Sequence, residues 1–151
     1  MSYAVHVQRQ AVRMVTFDGK AADGDLYLQA FGPSGRAQTL CERLNDPAAL
    51  FVPFQGRGGL ELAHLHWVAY FEVAGLAPEV QQRLDVGACR EKVELELVSG
   101  ETLRGELVYE RPPESRRISD LLNAPEERFL LLVAAERTLY VHRQALLRAR
   151  S

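Results

Sequence analysis

The sequence is poor in the residues on which catalysis and metal binding usually draw. It holds two cysteines, Cys41 and Cys89, four histidines and one tryptophan. The two thiols lie far apart, so neither belongs to a Cys-x-x-Cys metal or redox pair. Cys41 falls on the apolar face of a predicted short helix and reads as a buried thiol. Lysine is scarce, with 2 against 16 arginines. That bias reads as the mark of GC-rich coding rather than of phosphate recognition. Neither half carries one sign of charge. Residues 1–75 hold 6 basic and 7 acidic side chains, residues 76–151 hold 12 and 13, and the formal net charge is −2. This balance excludes a basic nucleic-acid arm and an acidic tail. No stretch approaches the ~20 apolar residues that cross a bilayer. The opening "MSYAVHVQRQAVRM" is broken by Arg and Gln and lacks a secretory leader pattern. The expectation is a cytoplasmic chain with no membrane contact.

What the sequence does have is a repeat. "QTLCERLNDPAALFVPF" (38–54) matches "RRISDLLNAPEERFLLL" (116–132), with Leu44, Asn45, Pro47 and Phe51 falling 78 positions before Leu122, Asn123, Pro125 and Phe129. Upstream, "VRMVTFDGKAADGDLYL" matches "VELELVSGETLRGELVY" at an offset of 81, since Gly19 and Gly24 pair with Gly100 and Gly105. The change of offset places three extra residues in the first copy, in the turn-rich loop "QAFGPSGRAQ". Downstream, "LELAHLHWVAYF" matches "TLYVHRQALLRA", with His64 opposite His142. Self-similarity over most of a chain points to one structural unit used twice. The units are expected at 12–73 and 93–151, joined by a connector at 74–92.

Each copy reads the same way. Val93, Leu95 and Leu97 alternate with Glu94 and Glu96, the period of a half-buried strand. Ser99-Gly100 turns the chain into a second strand, in which Gly105 permits a bend or a close backbone approach. A short helix follows, with Ser119 as the expected cap and the shared Asn-x-Pro as its stop, the Asn closing it in the left-handed conformation. Two further strands come next. Pro53 places its strand at an edge or a bulge. "GRGGL" (56–60) reads as a hairpin turn, and "RQALLRARS" as a turn and a last strand. Within the connector, Pro78 starts a helix reaching Leu84, with Gly87 beyond its end. Short strands with one brief helix in ~60 residues predict a mainly β fold with short helices: two tandem, strongly bent small barrels, each with a helix after the second strand. Units this small bury only roughly 60% of their unfolded surface, so the two are expected to lean on each other.

"VELELVSGETLRGELVY" resembles the first motif of Sm-like domains, an alternating strand, a Gly turn and a second strand. "TLYVHRQALLRAR" is similar in shape to their second motif, and the wider architecture resembles SH3-like barrels. The "RxSDLLN" element resembles a stretch of uncharacterised bacterial domains of this size. The resemblance implies a small barrel and assembly through strand edges. It does not carry over the RNA-binding residues, because the helix replaces the loop after strand two and the later loop reads "HRQA".

Candidates for chemistry are few. His64, His66 and His142 would gather if the copies pack with pseudo-symmetry, with His64 and His66 alternating on one strand. Their usual Asp, Glu or Cys co-ligands are missing at short spacing, and satisfied strand histidines are the simpler reading. Arg116, Arg117, Arg143 and Arg148, with Arg111 and Arg150, are the residues that could contact phosphate or RNA. The alternative is surface pairing, for example of Arg117 or Arg116 with Asp120. Trp67, Tyr70 and Phe71 are core residues or, near a strand end, a face for a partner. No catalytic group, metal site or cofactor is identifiable. The expectation is therefore a non-catalytic interaction or scaffold module that binds a protein partner or self-assembles. The alternative is an Sm-like RNA- or nucleotide-binding regulator.

Overall fold

The computed structural model describes residues 7–30, 35–124 and 127–151. Among these the chain is mainly β, with three short α-helices. The first half runs β1 (Val7–Thr16), β2 (Ala21–Gln29), α1 (Leu40–Asn45), β3 (Phe51–Gly56), β4 (Gly59–His64) and β5 (Val68–Ala74). Then comes α2 (Pro78–Asp85). The second half runs β6 (Cys89–Leu97), β7 (Thr102–Tyr109), α3 (Ile118–Asn123), β8 (Phe129–Ala134), β9 (Arg137–His142) and β10 (Leu146–Arg150). Short 3-10 turns at Leu65–Trp67 and Arg143–Ala145 precede β5 and β10. No helix among the described residues is long and apolar enough to cross a membrane.

All ten strands belong to one antiparallel sheet, in the order β10-β6-β7-β8-β9-β5-β1-β2-β3-β4. Each half contributes five neighbouring strands, its last strand beside its first, and the halves meet where β5 pairs with β9. The local geometry recurs at the offsets seen in the sequence. On β1, Thr16, Val15, Met14 and Arg13 face Val68, Tyr70, Phe71 and Glu72, with a bulge after Val15. On β6, Leu97, Glu96, Leu95 and Glu94 face Leu146, Arg148, Ala149 and Arg150, with the same irregularity. Gly105 lies against β8, where a Cβ would stand 2.3 Å from the Val133 carbonyl oxygen. Only glycine lets the two backbones approach this closely. Pairing of β2 with β3 ends at Leu26–Phe54, one residue before Pro53.

Two apolar cores flank the shared strands. Val68, Phe71 and Val73 of β5 join one core, and Ala69 and Tyr70 join the other. Similarly, Phe129 and Leu131 of β8 face one core, while Leu130 and Leu132 face the other. Burial on both faces explains why these strands read as nearly unbroken apolar runs. Each buried Val, Leu or Phe side chain here contributes roughly 1.5–3 kcal/mol of transfer free energy, so the seam is a principal source of stability for both halves.

Several local expectations need correction. Ser119 is not a cap. It lies inside α3, whose first turn is closed by Asp120 accepting from the Arg117 N–H at 3.2 Å. In α1 the equivalent closure is reciprocal: Glu42 N–H donates to Thr39 Oγ1, and Thr39 N–H donates to Glu42 Oε1, both at 3.1 Å. Neither Asn45 nor Asn123 adopts the left-handed conformation. Both helices leave through extended residues, Asp46 and Ala124. His66 is in the 3-10 turn and does not alternate with His64 along β4. Phe31, Pro33 and Pro125 lie outside the described residues.

Candidate interaction surface

The hairpin β3–β4 ends the sheet on one side, and β10 ends it on the other. Pairs directly opposite in an antiparallel hairpin share a face. Phe51 is opposite His64, Pro53 opposite Leu62, and Gln55 opposite Leu60. These residues form the outer face, because Val52, Phe54 and Ala63 point into the core. The outer face is apolar and uncovered: Phe51 is 51% exposed, Leu60 62% and Leu62 68%. The His64 ring stacks on Phe51 at 4.5 Å, and Trp67, 58% exposed, stands edge-on to His64 at 6.5 Å.

The same face of β8–β9 is fully covered. Phe129, Tyr140 and His142, which lie 78 positions after Phe51, Leu62 and His64, are 0%, 1% and 2% exposed. The cover is the first half of the chain. β5 pairs with β9, placing Phe71 against Phe129 with ring centroids 5.9 Å apart. Leu44 of α1 joins the same core. The Asn45 carboxamide clamps the start of β8, accepting from the Phe129 N–H at 2.8 Å and donating to the Phe129 carbonyl at 3.3 Å. Arg128 donates to the carbonyls of Leu44, Asp46 and Ala49 at 2.8–3.3 Å, closing the end of α1. Burial holds this guanidinium's pKa below its ordinary value. Arg137 pairs with Glu72 across the seam.

The residues singled out from the sequence divide accordingly. Trp67 is exposed, as a partner-facing residue must be. Tyr70 and Phe71 are buried, and this removes them from any free surface. Tyr70 donates its hydroxyl to the Glu101 carboxylate at 2.9 Å, and burial with that acceptor pushes its pKa up. The arginines bind groups of their own chain. Arg116 donates to the Arg111 carbonyl at 3.0 Å. Arg117 is 3.9 Å from Asp120, and Arg148 is 3.6 Å from Glu96. Arg143 is half-buried and binds the carbonyls of Leu121 and Glu127. The histidines do converge, His66 lying 5.9 Å from His64 and 6.0 Å from His142 between ring centroids. Among the described residues, however, no group of three His, Cys, Asp or Glu side chains is placed to hold a metal ion.

Sequence reasoning missed the Asn45 clamp, because its partner is 84 residues away. It also missed the outer face of β3–β4. The available signal was Leu60 and Leu62 on one face of a strand whose other face carries the apolar Ala63. No family model, no curated protein and no solved structure matches the chain.

Proposed function

We propose that the chain is a non-catalytic assembly module: two tandem copies of a small bent barrel of Sm-like or SH3-like kind, joining head to tail with further copies of itself. The observation that carries this reading is the contrast between Phe51, 51% exposed, and Phe129, 0% exposed, at matching positions. The first half supplies the cover for the second through β5 and α1. The equivalents of that cover are β10 and α3; β10 is at the other end of the sheet, with β6 as its one sheet neighbour among the described residues. An uncovered apolar edge strand templates addition of another strand. Offering β10 and α3 of one chain to β3–β4 of the next repeats the internal seam.

Moving the β5–β9 register by 78 positions gives the contacts. Phe71 opposite Tyr140 becomes Ala149 opposite Leu62, and Glu72 opposite Leu139 becomes Arg150 opposite Glu61. The latter is a pair of opposite charge on facing strands. Asn123 takes the role of Asn45 and clamps the Phe51 backbone. Within its own chain Asn123 is exposed and donates locally, to the Ser119 carbonyl. A head-to-tail contact of this kind closes into a ring or continues as a filament, depending on its rotation.

Light scattering with sedimentation tests the reading. The wild-type chain should associate, and Leu62→Asp, which alters an exposed side chain, should leave a folded monomer. Glu61→Arg and Arg150→Glu should each weaken association, and the two together should restore it. A chain that stays monomeric throughout the micromolar range refutes the proposal. Association lost on nuclease treatment would favour the RNA-binding alternative.

A further inference from the structure

Glu79 stands in the first turn of α2 and is 7% exposed. One carboxylate oxygen, Oε2, accepts from the Tyr140 hydroxyl at 2.7 Å and from the Cys41 backbone N–H at 3.3 Å. The other, Oε1, is buried with no hydrogen-bond partner among the described residues. Burial pushes up the pKa of both the Tyr140 phenol and the Cys41 thiol, keeping them protonated and uncharged. Among the described residues no guanidinium group donates a hydrogen bond to Glu79, although the Arg83 charge acts on it through space. Arg36 donates to Glu42 at 3.1 Å, and Arg83 is 3.9 Å from Glu127. A buried carboxylate with one oxygen unsatisfied is costly, and a cation bearing N–H donors removes most of that cost.

Glu79 lines a cleft of about 580 Å³ between the start of α2, the β1–β2 hairpin and the loop before α1. Its walls include Leu28, Leu40 and Leu76, with Gln10, Thr39 and Gln82 at polar positions. Apolar walls with a few fixed polar groups suit a small organic ligand. We infer that this cleft binds a small organic cation, an alkylammonium or alkylguanidinium, with its N–H groups directed at the Glu79 carboxylate and its alkyl body against Leu28, Leu40 and Leu76. The site is separate from the β3–β4 face. Both halves build it, because Tyr140 of β9 holds the carboxylate from beneath.

The test is titration of the full chain with n-butylguanidinium and n-butylammonium chloride, followed by amide chemical shifts. Uncharged 1-pentanol and anionic butyrate serve as isosteres. The expected result is saturable shifts at residues 39–41 and 76–83, with dissociation constants of roughly millimolar order for fragments this small. Affinity for the cations should exceed that for either isostere at least tenfold. Glu79→Gln should abolish the preference for cations. Should that variant fail to fold, Leu76→Trp fills the cleft from an exposed position and should block all four probes. Equal binding of cation and isostere would overturn the inference. So would cation shifts that survive Leu76→Trp, or no shifts within the cleft.

Discussion

Acidification should destabilise this protein through one histidine. His142 ends β9 and is 2% exposed. Its ring is edge-on to Phe129 at 4.9 Å and to Phe17 at 6.0 Å. Nδ1 accepts from the Gln144 N–H at 3.0 Å, so Nε2 carries the proton of the neutral ring. Nε2 is buried with no partner among the described residues. Burial first, then the nearby His66, Arg128 and Arg143, lowers the pKa from 6.5 to about 4. The unfolded chain therefore takes up a proton near pH 6.5, while the folded chain resists it until about pH 4. The stability that depends on the neutral ring is complete above pH 6.5 and is lost as pH falls toward 4. The full gap corresponds to about 3 kcal/mol, of which about 2 kcal/mol is already lost at pH 5. Urea unfolding at pH 7.5, 6 and 5 measures this, in the Leu62→Asp background so that association does not enter. His142→Asn keeps an acceptor for the Gln144 N–H and does not titrate. Its stability should fall less than that of the parent over the same range, by about 2 kcal/mol. Parallel pH profiles for parent and variant would refute the reasoning.

Other substitutions probe the seam and the sheet. Gly105→Ala places a Cβ 2.3 Å from the Val133 carbonyl oxygen; it should cost about 3 kcal/mol in urea unfolding, whereas Gly58→Ala, with nothing within 4 Å, should be nearly neutral. Asn45→Ala removes both hydrogen bonds to the Phe129 backbone and should lower stability by about 2 kcal/mol. Asn123→Ala should change monomer stability by no more than about 0.5 kcal/mol, yet weaken association in sedimentation. Under native conditions a thiol reagent should modify the half-buried Cys89 first. The buried Cys41, whose pKa burial raises, should react only on unfolding.

The parts of this fold that were legible in the sequence are those set by near neighbours in the chain. The alternation of Val93, Leu95 and Leu97 marked a strand, Gly19 and Gly100 marked its turns with φ of 85° and 95°, and Pro78 and Gly87 bracketed α2. These signals depend on backbone conformation and on the period of side-chain burial, both of which act over a few residues. Repetition of the whole pattern gave the equivalence of positions 78 and 81 apart. Tertiary structure alone decided what each equivalent position does. Phe51 and Phe129 occupy the same place in matching hairpins, and only the second is covered, because β5 and α1 of the first half lie over it. Asn45 clamps a backbone 84 residues away, whereas Asn123 donates within its own helix, to the Ser119 carbonyl. Burial and long-range hydrogen bonding depend on which surfaces meet, and no local pattern of residues encodes that.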